Sequence, residues 1–366
     1  MAGDVRALEQ PGLTAMHSLF LNEHNRLALL VYENYPHLSD EEIYQVVRKI
    51  VGAEMQNIVY NEFLPLVLGN DALEEFDLKL PNDAEENTFY DENVNATISN
   101  EFATVAFRFA HSLIPSHFLP TLDPVRVSDI SCPLKQNFFH FDQFSIGTDN
   151  SARAWENLLL GIQYQQSPAM DTAMSNSVID FLFCGEHCLL PEGFGQDLAA
   201  RNIQRGRDHG LPSYAKFREF CNLPKLTNWS SKPINIKTEI WDKLQSVYVN
   251  VDDIDPFTGG LAEDSVPDGL VGKTFSCIIG QQFEVLKNGD RFFFTHNTHG
   301  EKSEKGLPQE TKSAIRNRRL SDIICDNTGT ESNPLLVMKQ GQQNETCFSR
   351  PSFGFEEIKP MLSNGE

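Results

Sequence analysis

The chain has 366 residues, of which 40% are hydrophobic, and its 51 acidic side chains outnumber its 30 basic side chains by 21. Such a charge repels nucleic-acid phosphates and anionic lipid headgroups, so neither is an expected partner. No run of 18 apolar residues occurs, so no membrane span is predicted. The length alone would suggest two domains, but no linker, composition shift or internal repeat divides the chain, and we predict one domain over residues 1–366.

Helical periodicity is clear in the N-terminal part of the chain. Apolar side chains recur on one side of residues 15–31 and predict a helix. Residues 23–26 hold an acid, a base and a cation, but consecutive residues fan out around a helix and cannot converge on one substrate, so this tetrad is expected to be scaffold. A capping box starting at Ser39 begins a second helix, which should end near Tyr60 because Pro65 follows.

The middle and C-terminal parts alternate helical and irregular segments. Residues 71–100 are acidic and turn-rich and predict a surface excursion. Residues 101–118 predict an apolar helix that Pro115 bends or ends. Further helices are expected over residues 152–162, 170–183, 198–207 and 268–286, with Gly289 as a left-handed terminator. Loop-like or polar sequence fills residues 256–269 and 296–308 and extends from 325 onward. The predicted fold class is all-α, with only short strands.

The segment 101–118 carries the first candidate site residues. His111 and Arg108 project from one helical face, because residues three apart on a helix lie on the same side. An imidazole and a guanidinium on an apolar face could hold a metal ion and an anion side by side, and haem offers both as iron and propionates. A lone histidine on such a face is more often a hydrogen-bonded core residue. A second polar stretch favours the site, because helical spacing puts Asn202 and Arg205 together as an acceptor and a cation.

The segments FRFAHSLIP and RNIQRGRDHGLPSY resemble the animal haem peroxidases of the peroxidase and cyclooxygenase superfamily, with peroxinectin-like and peroxidasin-like members most similar. The resemblance spans nearly the whole chain in the family order. It implies haem b as cofactor, His111 as its axial iron ligand and Asn202 as acceptor for the second ring N–H. It also implies that Arg108 and Arg205 bind the haem propionates. Arg207 is expected to form an internal ion pair with its neighbour Asp208.

The resemblance implies hydrogen-peroxide-driven oxidation of halides, phenols or other small electron donors. In the family, a distal histidine in a Gln-x-x-Asp-His motif and a distal arginine cleave the peroxide bond. Neither motif occurs in these 366 residues, and the family's calcium site belongs to the same missing portion. We therefore expect the chain to supply the proximal half of the domain, with no distal catalytic residue, weak haem binding and poor peroxidase activity when alone.

Three explanations of the missing portion remain open. The chain is a fragment of a whole peroxidase, a product that pairs with a separate distal chain, or a non-catalytic relative. The first is preferred. An alternative function from another class is an extracellular adhesion or matrix protein that keeps the peroxidase fold as a platform.

Cysteines and sequons indicate an oxidising, glycosylating route. The chain has seven cysteines and the sequons at Asn95, Asn228 and Asn344, although its N-terminus lacks the apolar core of a signal peptide. The resemblance implies secretion and two disulfides, Cys221–Cys277 and Cys325–Cys347. The remaining cysteines are Cys132, Cys184 and Cys188. The last two could form half a metal site, but a local disulfide or free thiols are preferred, because a zinc site needs more ligands.

Overall fold

The computed structural model describes residues 3–81, 88–121, 131–140, 154–185, 193–296, 306–350 and 353–362. Helices dominate this part of the chain, which confirms the predicted all-α class. Helices α1 to α14 are Pro11–Asn34, Asp40–Ile58, Leu64–Glu75, Asn100–Thr104, Ala154–Tyr164, Asn176–Ile179, Leu198–Asp208, Tyr214–Phe220, Thr238–Val247, Pro256–Ala262, Lys273–Asn288, Gln309–Arg316, Leu320–Asn327 and Phe355–Leu362.

Short elements of other types complete the described fold. A π-helical turn spans Val59–Phe63, and 3-10 helices span Val5–Leu8, Ala106–Leu113, Leu134–Gln136, Val251–Asp253 and Cys347–Ser349. The strands form two antiparallel pairs. They are β1 (His117–Phe118) with β2 (Cys132–Pro133), and β3 (Ser332–Pro334) with β4 (Asn344–Thr346). None of the helices in the described ranges combines the length and hydropathy needed to cross a bilayer.

The N-terminal helices form where the periodicity predicted them, with one error at Pro65. The capping box is present: Ser39 Oγ accepts from the Glu42 amide at 3.3 Å, and Glu42 Oε2 accepts from the Ser39 amide at 2.8 Å. Helix α2 ends at Ile58, near the predicted Tyr60. Pro65 does not stop the helical path, because the π-helical turn places it in the first turn of α3, where a missing N–H costs nothing.

The predicted helix 101–118 is wrong as a single α-helix. Helix α4 ends at Thr104, because Val105 adopts φ −133° and ψ −71°, and the chain continues as the 3-10 helix Ala106–Leu113. Residues 71–100 are likewise not all a surface excursion: α3 includes Asp71, and the side chain of Leu78 is fully buried.

Other differences follow from tertiary packing. The segment 170–183 contains only the single helical turn α6, whereas 256–269 contains α10 in place of the expected loop. Gly289 follows α11 with φ −91°, so it is not a left-handed terminator. His296, placed in a polar mobile segment by the sequence, is buried between Thr88 and the Lys287 carbonyl.

Apolar packing gathers the helices into three buried clusters. The largest joins α1, α2, α3, the 3-10 helix Ala106–Leu113 and α11. The second lies among α1, α5 and α13, and a smaller third surrounds Tyr214 and Trp241. A buried side chain of Leu or Phe size contributes roughly 1.5–3 kcal/mol, so the first cluster fixes one side of the 3-10 helix firmly. The single domain over residues 1–366 stays a prediction.

A buried ionic network ties α1 and α2 to the loop before α13. The Arg318 side chain is 3% exposed and lies 2.8 Å from Glu23, 2.9 Å from Glu54 and 2.6 Å from Asp326. Burial raises the pKa of Glu54 to about 8, although the Arg318 guanidinium opposes this shift. Glu23 also accepts from Arg26 of the tetrad 23–26, so these two side chains converge, contrary to the expectation from their spacing, and are engaged in this network.

Replacing Arg318 with Met should lower the free energy of unfolding by about 3–5 kcal/mol, because it leaves buried carboxylates without their cation. Equilibrium guanidinium denaturation of the oxidised protein measures this change. Arg6→Met is the matched control, because it breaks an ion pair whose side chains are 78% and 52% exposed, and it should leave the free energy of unfolding nearly unchanged. Equal losses in the two variants would contradict the assigned role of the network.

The two disulfides implied by the family resemblance are present. Cys221 bonds to Cys277 and Cys325 to Cys347, with Cα–Cα distances of 6.0 and 5.5 Å. Cys132 is a buried free thiol. Cys184 is disulfide-bonded, whereas Cys188 lies outside the described residues.

Peptide mapping after alkylation without reduction should recover the Cys221–Cys277 and Cys325–Cys347 peptides as linked pairs. Cys132 should be alkylated only after unfolding, because its side chain is buried. Replacing both Cys325 and Cys347 with Ser should lower the free energy of unfolding by about 3 kcal/mol in the chain-entropy account. Alkylation of either bridged pair in native oxidised protein would contradict these assignments.

Candidate functional site

The 3-10 helix Ala106–Leu113 sets the direction of the two N-terminal site residues. Ala106, Phe109 and Ser112 are buried at a strict three-residue spacing, which matches the three residues per turn of this helix type. Side chains three apart are eclipsed in a 3-10 helix, so Arg108 and His111 leave the segment in one direction. The packing of the buried side therefore presents the imidazole and the guanidinium together.

The entry to this segment is also fixed by packing. Ser99 Oγ accepts from the Phe102 amide at 3.4 Å and caps α4. The Phe102 ring stacks on Phe107, with the centroids 4.5 Å apart. Phe107 remains 39% exposed, so an apolar ring lies at the surface next to Arg108 in the chain.

Helix α7 delivers the third site residue. Its N-cap Asp197 accepts from the Ala200 amide at 3.0 Å, and the buried residues of α7 are Asn202 and Gly206, one turn apart. A Cβ atom added at Gly206 would lie 3.6 Å from a Val105 methyl carbon, an ordinary van der Waals distance, so this face of α7 packs against the chain where α4 ends. This approach carries Asn202 to the 3-10 helix.

The amide of Asn202 joins the two predicted site residues of the other segment. Its Nδ2 lies 2.7 Å from His111 Nδ1, and its Oδ1 accepts from Arg108 Nη1 at 3.0 Å. Arg108 also donates from Nε to the Ala103 carbonyl at 3.1 Å. Asn202 is completely buried, so its amide needs these partners.

The Asn202 amide can serve its two neighbours in two ways. Because a guanidinium only donates, the amide oxygen faces Arg108, and Nδ2 then donates to His111 Nδ1, which leaves the ring proton on Nε2. If the amide is flipped, Asn202 Oδ1 accepts from His111 Nδ1–H, and the lone pair of His111 Nε2 is available. Asn202 Nδ2 then faces Arg108, and two hydrogen-bond donors oppose each other. The predicted acceptor role of Asn202 therefore requires Arg108 to turn away, and it stays a prediction.

The imidazole of His111 is neutral at physiological pH. Burial lowers its pKa to about 4, and the nearby charge of Arg108 acts in the same direction. A neutral imidazole is the form that binds a metal ion. The pKa of His111 is 6.5 in the unfolded chain and about 4 in the folded chain. The free energy of unfolding is therefore highest above pH 6.5 and decreases as the pH falls toward 4, because the unfolded chain binds the proton more readily.

Guanidinium groups converge on this site from both segments. Burial lowers the pKa of Arg108, and the charges of Arg205 and Arg201 on α7 lower it further. Arg205 lies 3.7 Å from Asp208 and is partly exposed, while Arg201 donates to Gln196. Arg201 was missed from the sequence, although its four-residue spacing from Arg205 puts both on one helical face. A bound anion would relieve the repulsion among these cations.

The predicted ion pair between Arg207 and Asp208 is wrong. Arg207 instead binds Asp255 through two hydrogen bonds of 2.8 and 2.7 Å, and Asp255 also accepts from the Tyr248 hydroxyl at 2.9 Å. The Asp255 carboxylate raises the pKa of Arg207. This pair joins α7 to the start of α10 and leaves Asp208 near Arg205.

Other histidines lie in different surroundings. His209 contacts the Asn100 side chain at 2.8 Å in an exposed position, and the His24 ring packs 5.5 Å from Tyr44. Across the described ranges, no group of three or more His, Cys, Asp or Glu side chains could hold a metal ion. A haem iron takes a single protein ligand on its proximal side, so His111 needs no such group.

Comparisons with known proteins identify the family of this chain. The family model described as animal haem peroxidase matches residues 1–338. The Caenorhabditis elegans protein named peroxidasin homolog pxn-2 is 38% identical over 337 residues, which is 89% of this chain and 23% of that protein. Human thyroid peroxidase is 34% identical over 97% of this chain and 36% of its own length. The chain therefore spans about a quarter to a third of these relatives.

Solved structures extend the comparison. Peroxidase A from Dictyostelium discoideum matches with a TM-score of 0.72 and 32% identity, covering 90% of this chain and 57% of that chain. The fatty acid alpha-dioxygenase from Oryza sativa matches with a TM-score of 0.60 at 18% identity, over 87% of this chain and 55% of that chain, and supports the fold alone. By family model, sequence identity and fold, the chain belongs to the animal haem peroxidase family.

Proposed function

We propose that this chain binds haem b through His111 and supplies the proximal side of a haem peroxidase, an oxidoreductase that uses hydrogen peroxide to oxidise small electron donors. The observation that carries the proposal is the shared amide of Asn202. It connects His111 with Arg108 from a helix 91 residues further along the chain. An imidazole, its hydrogen-bond partner and a cation thus meet at one place.

The residues present fit a haem. The His111 imidazole is neutral, as an axial ligand must be, and one of its nitrogens is already held by an amide. Phe107 offers an exposed apolar ring next to Arg108 in the chain. The cations of Arg108 and Arg205 lie close enough to repel each other, which suits a group with two carboxylates. Haem combines an iron, an apolar macrocycle and two propionates.

When bound, haem supplies an iron that takes two oxidising equivalents from peroxide. The chain's own residues orient it and set its electronic character. Arg108 turns from Asn202 to a carboxylate of the ligand, where a guanidinium forms stronger, charge-assisted hydrogen bonds. The amide of Asn202 is then released to accept from His111 Nδ1–H, which leaves Nε2 with its lone pair. Anion binding and histidine tautomer are coupled in this way.

A neutral amide is a weaker hydrogen-bond acceptor than a carboxylate, so it raises the basicity of the iron-binding imidazole nitrogen less. The reduction potential of the iron should therefore be comparatively high. The distal base and cation implied by the family have no match in these residues, and the proposal therefore covers the proximal half of the reaction. Halides and phenols are the proposed electron donors. Secretion is proposed from the disulfides and from the exposed sequons at Asn95, Asn228 and Asn344.

Titration of the chain with haemin should give a histidine-ligated ferric spectrum that His111→Ala abolishes and that His24→Ala and His209→Ala retain. His111→Gly should regain an imidazole-ligated spectrum when free imidazole is added, because the cavity left by the side chain admits the missing ligand. This rescue separates loss of the ligand from loss of the fold. An unchanged spectrum in His111→Ala would refute His111 as the axial ligand.

Asn202→Asp should raise the pKa of His111 in the haem-free chain by about 1–3 units, because an adjacent carboxylate stabilises the imidazolium. The pH titration of the His111 ring proton signals by NMR measures this shift. In the haem-loaded chain, the same substitution should lower the iron reduction potential. Asn34→Asp is the control, since it adds one negative charge at the exposed end of α1, and it should change neither quantity. A pKa of His111 that is unaffected by Asn202→Asp would contradict the shared-amide geometry.

A further inference from the structure

Apart from the His111 site, a cleft of about 510 Å³ lies between α2 and the segment that follows α11. This volume is within the range of small-molecule sites. One wall is formed by Arg48, Lys49, Gly52, Ala53 and Gln56 of α2, and the facing wall by residues 290–294, with His296, Gly306 and Leu307. None of the haem-site residues named above lines this cleft.

The two walls are held together by hydrogen bonds and ring packing. Gln56 Oε1 accepts from the Phe294 amide at 3.0 Å, and Gln56 Nε2 donates to Asp290 Oδ2 at 3.5 Å. The buried Phe293 ring packs edge-on against Tyr60, with centroids 5.1 Å apart. The cleft is therefore shaped before any ligand binds, which lowers the entropic cost of binding.

The histidine that lines the cleft contributes no charge. His296 Nε2 lies 2.9 Å from the Lys287 carbonyl, which can only accept, so Nε2 carries the proton. Nδ1 therefore accepts from the Thr88 hydroxyl at 2.7 Å. Both ring nitrogens are thus engaged by neutral groups, and burial lowers the pKa of His296.

The charged groups of the cleft give it a local excess of two positive charges. Arg48, Lys49 and Arg291 line it together with one carboxylate, that of Asp290. Within the described ranges, none of the three cations forms an ion pair with a carboxylate. The Arg291 guanidinium carbon lies 4.6 Å from the centroid of the exposed Phe292 ring. In a chain with a net charge of −21, an unpaired cluster of this kind is suited to an anion.

Steric space is available beside these cations. Gly52 lies one helical turn after Arg48, and a Cβ atom added there would meet no other atom within 4 Å. The floor beside it is apolar, because Ala53 and Phe293 are buried core residues. An occupant would therefore contact a cationic rim and an aromatic floor at once.

We propose that this cleft binds a small organic acid with a planar aromatic body. The carboxylate or sulfonate of the ligand pairs with Arg48 and Arg291, and the ring packs over Gly52 against Phe292 and Phe293. Lys49, the next residue along α2, adds to the positive potential of the same cleft. Cation–π contact and ring packing favour an aromatic body over an aliphatic one. The site is independent of haem and of the proposed peroxidase activity.

Isothermal titration of the chain with 2-naphthalenesulfonate tests this site without haem. A ligand of this size should bind with a Kd on the order of 1 mM or tighter. Arg48→Glu combined with Lys49→Glu should weaken binding by about tenfold or more, and high salt should weaken binding to the unmodified chain. Gly52→Phe should abolish binding while leaving every charge in place. It should also keep the fold, since Phe has the higher helix propensity.

Lys243→Glu combined with Lys237→Glu is the matched control, because both lysines are exposed on or beside α9 and the net charge changes equally. This pair should change the Kd by less than about twofold. Thermal melting confirms that each variant is folded. The assignment is overturned if the unmodified chain does not bind the probe, if Gly52→Phe binds it as well as the unmodified chain, or if the control pair weakens binding as much as the α2 pair.

Discussion

The site depends on one buried amide that must satisfy two neighbours. Asn202 has no access to water, and an unpaired buried amide costs roughly 1–3 kcal/mol in proteins. Its hydrogen bonds to Arg108 and His111 therefore fix the position of α7 against the 3-10 helix. Gly206, one turn further along α7, is buried beside Val105 on the same side of the helix. Packing and polar satisfaction thus point to the same arrangement.

The sequence predicted which candidate site residues lie together more accurately than it predicted their backbone. The segment 101–118 is not one α-helix, yet residues three apart share a face in α- and 3-10 helices alike, so Arg108 and His111 meet in either case. Helical spacing brought Asn202 and Arg205 together and the family resemblance implied their roles, and α7 was predicted almost to its last residue. The resemblance implied no role for Arg201, although it repeats the cation of Arg205 one turn earlier along α7.

Features set by distant partners could not be predicted. Arg207 binds Asp255 at a separation of 48 residues, and its sequence neighbour Asp208 was the wrong choice because adjacent helical residues point apart. The partners of Arg318 on α1 and α2 are 295 and 264 residues away. Pro65 was mistaken for a stop signal because a π-helical turn has no clear sequence pattern. Short helices such as α8 and α10 are stabilised by tertiary packing more than by their intrinsic helix propensity, so their sequences carry little periodic signal.

In a chain with a net charge of −21, a group of neighbouring arginines indicates a site for an anion. Around Asn202, the cations of Arg108, Arg201 and Arg205 lie close enough to depress the pKa of Arg108, so the ligand-free site holds unfavourable electrostatic energy. Under the proposed function, an anion with two carboxylates would remove this repulsion and at the same time free the amide that Arg108 occupies. The free energy of anion binding would then be linked to the tautomer of His111. A ligand that offers only a metal, or only an anion, satisfies half of this linkage, and haem satisfies both halves.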